Sequence, residues 1–269
     1  MHVMCDLRDV DDLDNVMASQ RPDIVVNMAA LLFGTAEENL KLAMEVNCVA
    51  ADDIARLSVR NGVELLVHFS TKAVYAPTAS AATEQSRLGP STNYGISKLA
   101  SEYAVRRTLN GSSTTGAILR MGSTYGPGKG PEHGAVAWMS TLVSRVVAGE
   151  TVRVYVEPES GSDYIYNVDV ASAVEAICRR FGAWRLTTET MNVTSGERTS
   201  ARDVCDHINE LSGRHSVMTV HRPDEADIVV PSGGTVLDGA KAEDLVGFIP
   251  AYDTRSGLAH YWEHHAGGA

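Results

Sequence analysis

No apolar run in this chain approaches the ~20 residues that a membrane-spanning helix needs. Nor is there an apolar leader at the start, because Asp6, Arg8 and Asp9 interrupt it. Cysteine is scarce: Cys5, Cys48, Cys178 and Cys205 are scattered, with neither metal-ligand spacing nor a disulfide framework, so a reducing cytoplasm is the expected setting and no metal is expected. Positive charge is short as well. Lys plus Arg number 23 against 34 Asp plus Glu, for a net charge of −11 and a pI near 5.2. That balance excludes nucleic acid and anionic membrane as natural partners. It leaves a nucleotide cofactor open, since backbone amides and helix N-termini bind phosphate locally. There are no internal repeats, low-complexity segments or linkers. What remains is an ordinary globular composition, 44% hydrophobic and 21% charged over 269 residues, enough for one large domain or a domain plus a lobe.

Against that background Tyr94-Gly95-Ile96-Ser97-Lys98 is the most informative stretch. A tyrosine and a lysine four residues apart share one face of a helix. An ammonium beside a phenol favours the phenolate, which makes the tyrosine a candidate acid/base. Upstream, Leu65 to Thr71 reads as a buried strand ending in the hydroxyls Ser70 and Thr71. Together they point to proton transfer to or from a substrate alcohol or carbonyl.

The rest of the chain alternates. Asp23 to Ala30 reads as a buried parallel strand. Glu37 to Arg60 reads as one long helix with Leu40, Met44, Val46, Val49, Ile54 and Leu57 on its apolar face, ended by Asn61-Gly62. The Tyr94 helix runs to Asn110-Gly111 and is followed by a strand at Gly116 to Arg120. Thr151 to Val156 and Asp163 to Tyr166 are expected as short strands, Val168 to Arg180 and Ser200 to Leu211 as helices, and Met191-Asn192-Val193 as a return to the main sheet. Alternation of this kind implies an α/β fold with a parallel sheet covered on both faces.

These residues, in this order, resemble the extended short-chain dehydrogenase/reductase family, its sugar-nucleotide epimerases and dehydratases in particular. The resemblance spans nearly the whole chain. It rests on Asp6-Leu7-Arg8-Asp9, on Pro22 to Ala30, on Val46-Asn47, on Ser70-Thr71 before Ala73-Val74-Tyr75, and on Tyr94 with Lys98. Further on it takes in Arg120 followed by Tyr125-Gly126-Pro127-Gly128, Asp163 to Ala171, and Gly247-Phe248-Ile249-Pro250. It implies a Rossmann-like doubly wound parallel sheet at residues 1–150, with a smaller, mainly substrate-binding lobe at 151–269. It also implies an NAD- or NADP-dependent epimerase, dehydratase or reductase acting on a hydroxyl- or keto-bearing small molecule, nucleotide sugars among them. Tyr94 is then the acid/base, Lys98 its electrostatic partner and ribose ligand, and Thr71 the hydroxyl that orients the reacting oxygen. Asp6, Leu7, Ala29, Ala30, Asn47 and Ser70 join Tyr94 and Lys98 as cofactor contacts, and Ser123 and Ser162 join Thr71 on the substrate side. A homodimer through residues of about 37 to 60 and 92 to 109 is implied too.

The chain departs from the pattern in three ways. The family's Gly-x-x-Gly-x-x-Gly turn does not occur, and the sequence opens at His2 to Asp6, where the family's third strand would stand. Gly126, Gly128 and Gly130 have the wrong spacing to replace that turn and read as a loop. Without the family's first strand, the strand at Asp23 to Met28 is expected to present an open edge, for the His2 to Asp6 stub or another chain to cover. Second, Ser162 stands immediately before Asp163-Tyr164-Ile165, where relatives that bind nucleoside diphosphate sugars carry a phosphate-gripping arginine. Third, Ser123 stands where many carry asparagine. Arg145 and Arg153 read as surface salt-bridge formers rather than replacements. The alternative function is cofactor-independent proton chemistry, or ligand binding alone, on the same three residues. His260, His264 and His265 read as a solvated terminus rather than a metal site.

Overall fold

The computed structural model describes residues 2–158, 160–231 and 233–266. In chain order the elements are α1 (Val10–Gln20), β1 (Ile24–Asn27), α2 (Phe33–Glu38), α3 (Leu40–Met44), α4 (Ala50–Arg60), β2 (Leu65–Thr71), α5 (Asn93–Leu109), β3 (Thr115–Met121), β4 (Ser123–Tyr125) and α6 (Trp138–Val147). Then come β5 (Val152–Tyr155), β6 (Gly161–Tyr166), α7 (Asn167–Arg180), β7 (Thr188–Val193), β8 (Arg198–Ser200), α8 (Ala201–Ser212), β9 (Val217–Val220), β10 (Ile228–Val229), α9 (Ala240–Val246) and α10 (Thr254–Ala266).

The main sheet has the order β1-β2-β3-β7, all parallel. Its central strands are apolar runs because both of their faces are covered. Leu65, Val67, Ala117, Leu119, Met191 and Val193 pack under Val170, Ala173 and Ile177 of α7 and Ala242 and Val246 of α9. On the opposite face Leu66 meets Ile54 and Leu57 of α4, Val105 and Leu109 of α5, and Leu13 and Met17 of α1. The second lobe holds two small sheets, β10-β5-β9 and β4-β6-β8. Its core is built from Trp138, Leu142, Tyr164, Tyr166, Ile208, Leu258 and Tyr261. Strand β7 returns from beyond this lobe to complete the main sheet.

Three expectations are corrected. Residues His2 to Asp6 form no strand. The Asp6 carboxylate is clamped by Arg8 at 2.6 Å, the Asp9 amide donates to the Asp6 carbonyl at 2.9 Å, and Asp9 caps α1 through the Asp12 amide at 3.0 Å. These short-range bonds commit the segment to a turn into α1. Among the described residues β1 therefore pairs only with β2, and Val26 and Met28 beside its open edge are 38% and 63% exposed.

The long helix expected over Glu37 to Arg60 is broken. Asn39 caps α3 by accepting from the Leu42 amide at 3.0 Å, and a π-helical turn spans Glu45–Val49 before α4. A π turn inserts one residue and rotates the helix beyond it. Asn47 is thereby turned inward and fully buried, whereas Leu40 and Val49, expected on the apolar face, are exposed.

The C-terminal histidines sit on a packed helix rather than a free tail. Leu258 and Tyr261 of α10 are buried, and His260 Nδ1 lies 3.1 Å from the Tyr166 hydroxyl. His264 and His265 are exposed, and no cluster of three metal-ligating side chains occurs among the described residues.

Candidate active site

Strand β2 delivers Thr71 to the C-terminal edge of the sheet, and a short 3₁₀ turn, Lys72–Val74, comes directly after it. Helix α5 starts against that turn. Its N-cap Thr92 accepts from the Gly95 amide at 3.0 Å, and the Glu37 carboxylate accepts from the Asn93 and Tyr94 amides at 3.1 and 3.0 Å. Glycine is required at 95, because a Cβ there would lie 2.5 Å from the Ala73 carbonyl oxygen. This close approach brings the first turn of α5 onto the end of β2, and Tyr94 onto Thr71.

Tyr94 is buried, its ring 4.6 Å from that of Phe33, and the Thr71 side chain acts on its hydroxyl. Burial pushes the phenol up to about 12, and the Thr71 hydroxyl opposes part of that rise. The expectation from spacing was the reverse, a phenol made easier to ionise by Lys98. Desolvation wins here, and the tyrosine is a protonated acid at neutral pH. Lys98 is 1% exposed, and burial brings its ammonium down to about 8 against the opposing pull of Glu102 and Cys48. Among the described residues its Nζ makes no hydrogen bond, and it is not one of the fully buried polar atoms left without one, so the tip of this buried side chain opens to solvent.

The surroundings are wired to hold this arrangement. Asn47 accepts from the Leu31 amide at 2.6 Å and donates to the Leu31 carbonyl at 3.0 Å and to Ser97 Oγ at 2.9 Å. The turn after β1 is thus fixed to α5 through one side chain. His68, on β2, is neutral: burial and the nearby Lys98 charge hold its pKa well below the usual histidine range. Its tautomer is set by its partners. Ser101 spends its proton on the Lys98 carbonyl at 2.7 Å, so it accepts from His68 Nε2 at 2.8 Å, while Nδ1 accepts from Asn27 Nδ2 at 3.2 Å.

The other sequence candidates are dispersed. Ala29 and Ala30 lie on the turn after β1, the Ala29 amide donating to Asn27 Oδ1 at 3.2 Å. Asp6 and Leu7 are not brought to Tyr94: Asp6 is engaged by Arg8, and Leu7 packs with the α1–α4 cluster. Ser70 donates to Glu102 at 2.5 Å, and Glu102 pairs with Arg120 at 2.7 Å, both ion-pair side chains being buried. The Ser70 hydroxyl therefore serves the scaffold between β2, α5 and β3. Ser162 and Ser123 lie together, hydroxyls 3.4 Å apart. Arg145 and Arg153 pair with Glu150 and Asp227.

Two residues that sequence reading passed over belong here. Glu102 stands one helical turn beyond Lys98 and is buried against Arg120 and Ser70. Lys72 is the residue after Thr71, and its Nζ donates to Ser162 Oγ and to the Asp163 carbonyl, the latter at 3.2 Å. Its position between the strand-end threonine and Ala73 was the available signal.

Comparison with known proteins matches residues 2–193 to the family model described as NAD dependent epimerase/dehydratase family. The dTDP-6-deoxy-L-talose 4-dehydrogenase (NAD(P)(+)) of Kitasatospora kifunensis is 27% identical, over 94% of this chain and 79% of its own. A UDP-glucose 4-epimerase of Mycolicibacterium smegmatis is 25% identical, over 96% and 80%. Among solved structures, the Thermus thermophilus UDP-glucose 4-epimerase in complex with NAD superposes with a TM-score of 0.83 at 25% identity, covering 98% of this chain and 84% of that one.

Proposed function

The chain belongs to the NAD dependent epimerase/dehydratase family, and on that premise we propose that it moves a proton and a hydride at a hydroxyl-bearing carbon of a nucleotide sugar. The observation that carries this reading is Thr71 acting on the buried Tyr94 hydroxyl, with Lys98 one helical turn away offering an ammonium that makes no hydrogen bond among the described residues. An ammonium on a buried stem, with its tip open to solvent and no protein acceptor among the described residues, is suited to ribose hydroxyls, so the residues present fit a dinucleotide at this point. Lys98 and Tyr94 would hold it, with the Leu31 turn fixed by Asn47 beneath. NAD or NADP, when bound, supplies the hydride acceptor and donor.

The chain's own residues manage the proton. The Tyr94 hydroxyl, protonated at neutral pH, gives its proton to a carbonyl oxygen that is being reduced and takes it back from the alcohol in the reverse direction. Thr71 donates to the same oxygen and fixes it within reach. The 8% exposure of both Tyr94 and Thr71 keeps bulk water from the transfer. The relatives are named for NAD-dependent or nucleotide-sugar chemistry, which favours this reading over the cofactor-free alternative. No helix among the described residues is long and apolar enough to cross a membrane. Four free cysteines accord with a reducing, cytoplasmic setting. Pairing of two copies through α4 and α5 is part of the same proposal.

Fluorescence titration with NADH and NADPH, followed by incubation with UDP-glucose or dTDP-glucose and product analysis, tests it. Saturable micromolar binding, lost in Lys98→Met, and turnover lost in Tyr94→Phe are expected. A folded protein that perturbs neither dinucleotide would sink the redox reading.

A further inference from the structure

We propose that Lys72 is the cation that grips the diphosphate of the nucleotide-sugar substrate, delivered from the end of β2 to the place where position 162 carries only a serine. The inference rests on the nucleotide-sugar reading above and adds the residue that recognises the anion.

The geometry starts at Ser162. This buried residue precedes Asp163 on β6, faces Ser123 at 3.4 Å, and supplies no charge of its own. The ammonium of Lys72 reaches it from another element, donating to the Ser162 hydroxyl and to the Asp163 carbonyl. Only neutral oxygens meet this ammonium: among the described residues no carboxylate comes within salt-bridge distance of it. The Asp163 carboxylate is already shared among Thr194 Oγ1, the Ser195 amide and hydroxyl, and the Leu237 amide. Burial, with the nearby Arg198 charge adding to it, brings the Lys72 ammonium down to about 8 against the pull of Asp163.

A desolvated ammonium facing hydroxyls and bare backbone is short of an anion. The backbone at Gly234 passes nearby: a Cβ there would stand 3.0 Å from Lys72 Nζ and crowd the Ser162 hydroxyl. The position also fits the reaction. Lys72 is the next residue after Thr71, so one lysine side chain separates the strand end that orients the reacting oxygen from the ammonium that would hold the diphosphate.

Calorimetric titration with UDP and dTDP, against uridine and thymidine as uncharged probes, tests the assignment. Wild type should bind a diphosphate far better than its nucleoside, and Lys72→Met should weaken that binding about tenfold or more while NADH binding stays intact. Lys72→Arg should keep it, and Ser162→Arg added to Lys72→Met should restore it, an outcome that a merely structural lysine would not give. A Lys72→Met protein that binds UDP and dTDP as wild type does overturns the role of Lys72. Wild type that binds NADH but neither diphosphate overturns the nucleotide-sugar reading, and this assignment with it.

Discussion

Lys98 shows most directly what a residue of the candidate site costs its fold. Its side chain is buried, its ammonium makes no hydrogen bond among the described residues, and burial brings it down from 10.5 to about 8. Between those two values the unfolded chain holds a proton that the folded chain does not, so stability rises as pH climbs through that window, and the full penalty applies below about 8. Lys98→Met should therefore be more stable than wild type at pH 7, by on the order of 3 kcal/mol, with the gain fading towards pH 10.5. Urea denaturation at the two pH values measures it. Equal stabilities at pH 7 would show that the lysine is not strained. Tyr94 and Lys98 were legible in the sequence because their relation is local, a helical spacing. The protonation state of the phenol was not, since burial by Phe33 and Thr71 is a tertiary matter that spacing does not contain.

Helix α5 carries the site, and it is held by a buried ion pair. Arg120 of β3 donates to Glu102 of α5 through Nε and Nη2 and to the Tyr75 hydroxyl through Nη1 at 3.0 Å, with Ser70 of β2 completing the carboxylate's partners. Removing one member leaves the other charged and buried. Glu102→Ala is expected to destabilise the protein by about 3–5 kcal/mol, measured by chemical denaturation. A loss below about 1 kcal/mol would mean that Arg120 finds water instead. Strands β2 and β3 could be read from their apolar runs, since burial on both faces removes alternation. The break at Asn39 and the π turn could not, because a helical reading assumes one period throughout. Nothing in the sequence marks Asn47 as the residue around which the period changes, although its three hydrogen bonds to Leu31 and Ser97 give the reason.

At the scale of the molecule, some of the apolar side chains left outside the core lie at the proposed pairing face of the first lobe. Val49, Ile96 and Tyr103 are 54%, 41% and 61% exposed, and Ile96 and Tyr103 lie two turns apart on one face of α5. Pairing of two copies there would bury them. Sedimentation equilibrium should give a dimer for wild type, and Tyr103→Asp should raise its dissociation constant about tenfold or more. A monomer at every concentration would remove the dimer from the proposal. The overall α/β plan was readable from the alternation of segments. The fate of the first residues was not, because their apolar content suits a strand while Asp6, Arg8 and Asp9 bond among themselves.

The order of the main sheet also bears on how the protein is made. Strands β1, β2 and β3 lie side by side in the order in which a ribosome releases them, so each can be added to the last as it emerges. The fourth place belongs to β7, and residues 122 to 187 must be synthesised before it is available. During that interval the growing edge is β3, whose every residue is buried in the finished protein. The nascent chain thus carries this edge uncovered for the whole time that β5, β6 and α7 are being built. Slow translation across that stretch would prolong the exposure, and a chaperone that shields a bare strand would be needed there more than anywhere later.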